Sequence, residues 1–255
     1  MSAAISPEQP PALVTGAGRR IGAAIARALA GAGRPVALHV NSSAKEAEAL
    51  ADEIANLGGR AAVVSGDLAT PETPARVIAD ARAALGPLGV LVNCASSFDT
   101  DAPGDLDVGR WDRQFAVNLR APVFLIEAFA EQVAEGAHGC AVNILDQRVL
   151  RPTPRHFSYG ISKAALAAAT VTLAQALAPR IRVVGIAPGP TLPNVRQTDE
   201  DFARQCAAMP LERGPSPQEI AEAVLFVIGA KSVTGAILPV DGGQHISWRT
   251  PGAED

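Results

Sequence analysis

Seven short aliphatic runs are spaced along this chain with Ala-rich helical stretches between them, and this alternation restricts the fold more than any other feature. The runs are Ala12–Thr15, Val36–Val40, Ala61–Ser65, Val90–Asn93, Cys140–Leu145, Ile181–Ile186 and Ile237–Val240. The helical stretches are Ile21–Gly31, Ala44–Leu57, Thr73–Leu85, Trp111–Glu135, Ser158–Ala178 and Pro217–Ile228. A parallel strand pair needs a long crossover, and a helix is the usual one. The pattern therefore predicts an α/β fold. It is a doubly wound parallel sheet with helices on both faces and a ligand crevice at the carboxyl ends of the strands. No linker or change in composition divides the chain. Residues 1–255 read as one domain, with a core at about 12–248 and loose ends at 1–10 and 250–255. The segment Pro188–Pro217 fits neither pattern and carries five prolines between Pro188 and Pro215. Because it leaves a strand end directly, it reads as a substrate lid at about 190–214, with a surface insertion as the alternative.

Composition narrows the partners. A chain of 255 residues with 48% hydrophobic side chains buries a sizeable core and is not disordered along its length. With 22 Lys and Arg against 26 Asp and Glu, the net charge is −4 and the pI near 5.6. That balance argues against a nucleic-acid surface, which needs a basic stripe. No apolar run reaches the ~18 residues of a membrane span. Residues 1–10 lack the apolar centre of a secretory signal. Cys94, Cys140 and Cys206 show no CxxC spacing and read as small buried side chains in a reducing cytoplasm. His138, His156 and His245 have no metal-ligand spacing, so no metal is assigned.

The first strand runs into Thr15-Gly16-Ala17-Gly18-Arg19-Arg20-Ile21-Gly22 and then a helix. Glycines there let backbone approach a pyrophosphate, and the helix N-terminus offers N–H groups and the positive end of its dipole. The second strand ends Leu38-His39-Val40-Asn41-Ser42-Ser43, with no acid before Glu46. An NAD site usually places an acid there for the ribose hydroxyls. Two arginines, Arg19 and Arg20, with hydroxyl donors suit a 2′-phosphate instead, so NADPH is expected over NADH. Tyr159 and Lys163, four apart in a helical stretch, share a face. An ammonium near a phenol favours phenolate, and a tyrosine so tuned can pass a proton to a substrate as hydride arrives. Tyr159 is also the only tyrosine in the chain.

Together these residues resemble the short-chain dehydrogenase/reductase family. The further matches are Asp67-Leu68 after the third strand, Asn93-Cys94-Ala95-Ser96 after the fourth, Asn118 in the long helix, and Pro188-Gly189 after the sixth. The likeness runs from about Leu13 to Gly243 and includes the ending Val240-Asp241-Gly242-Gly243. It implies a Rossmann-type fold, a nicotinamide cofactor and commonly a homotetramer. It also implies that Asp67 contacts adenine and that Asn118 holds a helix kink and a proton-relay water. Lys163 would bind the nicotinamide ribose and lower the pKa of Tyr159, and Thr191 would contact the carboxamide.

Two departures point to a branch. Arg20 stands where the family has the middle glycine of the turn, and Asp146 stands where it has the catalytic serine, thirteen residues before Tyr159. Both resemble the pteridine reductase branch, as does Asn93-Cys94-Ala95-Ser96-Ser97-Phe98, whose phenylalanine stacks on the pterin there. Leu38–Ala44 resembles that branch's phosphate segment, with Ser42 where an arginine is often found. The expected function is NADPH-dependent reduction of a small substrate, a dihydropterin. Tyr159 relays the proton, Lys163 tunes it, Asp146 supplies or shuttles a proton, and Arg20 bridges cofactor phosphate and substrate. Ser96 and Phe98 join Arg20, Asp146 and Tyr159 in holding the substrate. Arg148, Arg151 and Arg155 read as a solvated loop or an attraction for an anionic tail. A carbonyl or imine reductase for another small substrate and a non-catalytic dinucleotide-binding sensor are the alternatives.

Overall fold

A computed structural model gives the structure and describes residues 9–193 and 197–248. Residues 1–8 and 250–255 of the expected loose ends, and residues 194–196 of the expected lid, lie outside the described residues. Residues 9 and 10 are not loose. Gln9 donates to the Ala32 carbonyl at 3.1 Å, and the Pro10 carbonyl accepts from Arg34 at 2.8 Å.

Strands β1 (Ala12–Thr15), β2 (Val36–Val40), β3 (Ala61–Ser65), β4 (Val90–Asn93), β5 (Gly139–Ile144), β6 (Ile181–Pro188) and β7 (Ile237–Val240) form one sheet. Its order is β3-β2-β1-β4-β5-β6-β7, and every pairing is parallel. The helices are α1 (Arg20–Gly31), α2 (Ala44–Asn56), α3 (Thr73–Leu85), α4 (Val108–Phe115), α5 (Ala121–Gln132), α6 (Phe157–Leu177), α7 (Asp199–Ala207) and α8 (Pro217–Gly229). Strand side chains alternate between two cores. Val14, Leu38, Val92, Val142 and Val184 pack with Ile25 and Leu29 of α1 and Val224 of α8. Leu13, Leu91, Ala141 and Val183 pack with Val77 of α3 and Leu125 and Phe129 of α5. A sheet buried on both faces reads as continuous apolar runs, which is why the strands are legible in the sequence.

Two helical expectations change. The stretch Trp111–Glu135 is a rod broken by a π turn at Ala116–Arg120. Pro122, in the first turn of α5, has no N–H for the carbonyl four residues back, so the regular ladder fails there. The segment after β6 is not wholly irregular, because α7 forms inside it. Thr198 caps α7 by accepting from the Asp201 N–H at 3.1 Å, and Asp199, Glu200 and Asp201 occupy its first turn. Helix α6 is long and apolar enough to cross a membrane by length and composition alone. In the fold its Ser158, Tyr159, Ser162, Lys163 and Thr170 are all buried and all hydrogen-bonded.

Two side chains lock the crevice where the sheet changes direction, between β1 and β4. Thr15 Oγ1 accepts from the Cys94 and Ala95 N–H groups at 2.9 and 3.0 Å, joining the two strand ends. His39, 1% exposed, accepts from the Gly16 N–H through Nδ1 at 3.4 Å and donates from Nε2 to the Gly66 carbonyl at 3.0 Å. It therefore ties the glycine turn to the ends of β2 and β3 as a neutral ring.

Burial lowers the His39 pKa from 6.5 to about 4. Between those values the unfolded chain binds the extra proton, so stability falls as pH drops from about 6.5 towards 4. We expect His39 to remove about 2 kcal/mol of stability between pH 7.5 and pH 5. Urea unfolding of His39→Gln at both pH values should show that much less acid sensitivity than wild type; an equal loss in both proteins would contradict the assignment.

Candidate active site

A cleft of about 1560 Å³ opens at the carboxyl ends of the strands, running from the glycine turn past β2, β4 and β5 to α6 and the segment after β6. The turn is built for close approach. Gly16 has φ +67°, and a Cβ there would lie 2.9 Å from the Ala95 Cα. A Cβ on Gly18 would collide with the Ser43 hydroxyl, and one on Gly22 with the Gly16 carbonyl. No side chain caps the N-terminus of α1. A glycine cradle leading into an uncapped helix start fits a pyrophosphate. Ile21 lines the cleft directly, whereas Gly18 and Gly22 shape the turn from behind.

Further along, Asn41, Ser42 and Ser43 line the end of β2. Arg19 lies beside them on the lining, with Glu46 3.9 Å from its Nη1. Asp67 and Leu68 line the far end. Asp67 accepts from the Ala69 N–H at 2.9 Å, and this bond, with Arg113 at 3.4 Å, holds its carboxyl below the usual range. At the opposite end lie Ala95, Ser96, Pro188, Gly189 and Thr191. A Cβ on Gly189 would lie 2.7 Å from the Asp241 Cα, so this turn needs glycine, and Thr191 Oγ1 donates to the Gly189 carbonyl at 2.9 Å.

The centre of the cleft holds Tyr159, Asp146 and Lys163. Tyr159 Oη donates to Asp146 Oδ2 at 3.0 Å. Lys163 Nζ, on the same face of α6, donates to the Ile144 carbonyl at 2.7 Å and lies 5.9 Å from the Tyr159 ring centroid. Burial pushes Tyr159 well above its ordinary pKa, and the Asp146 charge pushes the same way against Arg148. Burial also lowers Lys163 to about 8. The expected depression of the phenol by the ammonium is thus absent here. Lys163 gives one of its three donors to a carbonyl, and the phenol keeps its proton. Asp146 is the acceptor in its hydrogen bond with Tyr159. Phe98, 38% exposed, meets Tyr159 edge-on at 4.7 Å and stacks on His156 at 4.5 Å.

Other expected residues stand elsewhere. The Asn93 side chain turns from the cleft into the core, where it donates to Asn143 Oδ1 at 2.9 Å. Asn118 is fully buried inside the π turn. It accepts from the Ser97 N–H and donates to the Ser97 carbonyl, both at 2.8 Å, so it fixes the segment carrying Ser96 and Phe98. Arg20 has a left-handed φ of 55°, the conformation that explains the family's glycine there. Its guanidinium donates to the Leu192 and Pro193 carbonyls at 3.2 and 3.1 Å, across the cleft mouth, rather than remaining over the turn. Arg151 donates to the Gln244 carbonyl at 3.0 Å, and Arg155 lines the cleft.

Sequence reading missed several residues that position this site. His39 and Thr15 sat in motifs but looked like strand residues. Asp101 accepts from the Ser158 N–H and hydroxyl and so holds the first turn of α6, one residue from Tyr159. Its partner lies fifty-seven positions away, so no local pattern marks it. Among the described residues, no group of three His, Cys, Asp or Glu side chains is arranged to hold a metal.

Comparison with known proteins agrees with this geometry. A family profile described as enoyl-(acyl carrier protein) reductase matches residues 16–245. The chain is 34% identical to a short-chain type dehydrogenase/reductase of Picea abies over 91% of both chains. It is 34% identical to pteridine reductase 1 of Leishmania tarentolae over 95% of this chain and 98% of that one. The crystal structure of FolM alternative dihydrofolate reductase 1 from Brucella canis, complexed with NADP, matches with a TM-score of 0.93 at 48% identity. That match covers 97% of this chain and 98% of the other. With its parallel seven-stranded sheet, glycine turn and buried Tyr159–Lys163 pair, the chain belongs to the short-chain dehydrogenase/reductase family of NAD(P)-dependent oxidoreductases.

Proposed function

We propose that this protein is an NADPH-dependent reductase acting on a dihydropterin, in the pteridine reductase-like branch of its family. The observation that carries the reading is the 3.0 Å hydrogen bond from Tyr159 to Asp146, where the family has a serine. A neutral serine hydroxyl holds a ketone oxygen by donating to it; a carboxylate accepts, and repels that oxygen. A half-reduced pterin ring carries an N–H for such an acceptor and a C=N for reduction. The likeness to the Leishmania tarentolae pteridine reductase and the Brucella canis dihydrofolate reductase supports the same reading.

In this reading the Gly16–Gly22 turn and the start of α1 would hold the pyrophosphate. Arg19, Asn41, Ser42 and Ser43 hold the 2′-phosphate, Asp67 and Leu68 the adenine end, and Lys163 and Thr191 the nicotinamide end. Ala95, Ser96, Pro188 and Gly189 wall that end. The bound nicotinamide supplies hydride to the substrate carbon. Tyr159 Oη gives its proton to the adjacent ring nitrogen, and the phenolate left behind regains a proton from water. Burial keeps the phenol protonated at neutral pH, so the proton is available when needed. Phe98 offers a flat apolar wall to the ring. Arg20, tied to Leu192 and Pro193, holds the segment after β6 over the substrate end. The reading includes a cytoplasmic homotetramer. Exposed Phe124 on α5 and Ile161 and Val171 on α6 supply apolar surface for contacts between copies, and the three cysteines are unpaired.

Two experiments test it. Purified protein should oxidise NADPH in the presence of 7,8-dihydrobiopterin. Tyr159→Phe should lower kcat by at least about 100-fold while NADPH affinity stays within about twofold. NADPH binding with no dihydropterin turnover would move the protein to a reductase of another small substrate, or to a dinucleotide sensor. Arg19→Ala should weaken NADPH about tenfold and leave NADH nearly unchanged; equal losses would mean that Arg19 does not read the 2′-phosphate.

A further inference from the structure

Three arginines follow Asp146, and the fold directs one of them back onto the reaction centre. Arg148 Nη1 donates to Asp146 Oδ1 and Oδ2 at 3.1 and 2.9 Å, and the Arg148 backbone N–H donates to Oδ1 at 2.9 Å. Tyr159 supplies the remaining contact, to Oδ2 at 3.0 Å. Each oxygen thus accepts two donor contacts, and when Tyr159 turns to the substrate Oδ2 is left with one and can accept from the ring N–H. A carboxyl in this setting has no oxygen on which to carry a proton without giving up a donor contact. The guanidinium is confined on its other side, with its carbon 5.9 Å from the Phe98 ring centroid. Its Nε–H is buried with no acceptor, a cost that the bonds at the far end of the group offset.

We propose that Arg148 is a positioning residue that holds Asp146 as a hydrogen-bond acceptor, so that the single mobile proton of the Tyr159–Asp146 pair stays on the tyrosine and is the one delivered to substrate. The inference rests on the reductase reading above and deepens it. Without the Arg148 guanidinium, two of the four donor contacts on Asp146 are lost, and its carboxyl is free to carry a proton and to donate to Tyr159. The other charged and titratable groups around the pair are accounted for. Lys163, on α6, donates to the Ile144 carbonyl. Cys94, at the end of β4, is held as a thiol because burial pushes it up to about 11. His156, before α6, faces the pair across the Phe98 ring.

Tyr159 is the only tyrosine in the chain, so a ¹³Cζ-tyrosine label gives one NMR signal that reads this hydrogen bond without any substrate. In wild type the signal should hold its position from pH 5 to pH 8. In Arg148→Met it should move through a carboxyl-like titration, in Arg148→Lys it should stay close to wild type, and in the double variant Arg148→Met/Asp146→Asn the titration should be lost. In parallel, kcat of Arg148→Met with 7,8-dihydrobiopterin should fall further below wild type as pH drops from 8 to 5.5, by about tenfold at pH 5.5, with the KM for NADPH within about twofold. Arg148→Gln is read in the same way should the methionine variant fail to fold. A tyrosine signal as flat with pH in the folded variant as in wild type overturns the inference. Absence of dihydropterin turnover by wild type overturns the substrate reading alone, and the NMR titration still decides the role of Arg148.

Discussion

Burying a parallel sheet on both faces leaves only its strand ends open to a ligand, and the rest of this structure follows from that constraint. Strands β1 to β6, whose side chains alternate between two cores, have no free face on which to build a site. The open end nearest the change of direction, between β1 and β4, receives the glycine turn, the end of β2 and the start of α6. Thr15 and His39 fasten that junction, so the cradle is shaped by the same residues that close the sheet. Backbone approach is the currency of the cradle: Gly16, Gly18 and Gly22 have no room for a Cβ.

The reaction centre is a second constraint laid on the first. Tyr159 and Lys163 are buried polar groups, and each is satisfied by a specific partner, Asp146 and the Ile144 carbonyl. Their positions depend on two supports outside the helix that carries them. Asp101 fixes the first turn of α6, and Asn118, inside the π turn, fixes the segment bearing Ser96 and Phe98. A π turn at a functional position matches the general association of such irregularities with sites. Removing water from this cluster keeps the phenol protonated, which suits a group whose task is to deliver a proton.

The inner strands are legible because a doubly buried strand has a continuous apolar pattern; β1, β2 and β4 begin and end where the sequence places them, as do the partly exposed edge strands β3 and β7. Helix α7 was not, because caps and charge hold it rather than an apolar face, and none of its residues is buried. The pairing of Tyr159 with Asp146 was legible once both stood at motif positions. The place of the Arg20 guanidinium is not legible, because it donates across the cleft to carbonyls more than 170 positions away. The depressed phenol pKa failed for a related reason. Helical spacing puts Lys163 on the right face but does not say that its ammonium donates to a strand-end carbonyl, nor how completely the fold excludes water. Asn93 looked like a cleft residue by position, yet the pleat turns it inward to Asn143.

The central claim is that a carboxylate in the serine position tunes this site for a C=N in a pterin rather than for a ketone. The most direct measurement is the ratio of kcat/KM for 7,8-dihydrobiopterin to that for a simple aromatic ketone, in wild type and in Asp146→Ser. The account predicts that the ratio falls by at least about 100-fold in the variant, through loss of pterin turnover with ketone turnover unchanged or higher. A ratio that stays the same, or that rises, would contradict it.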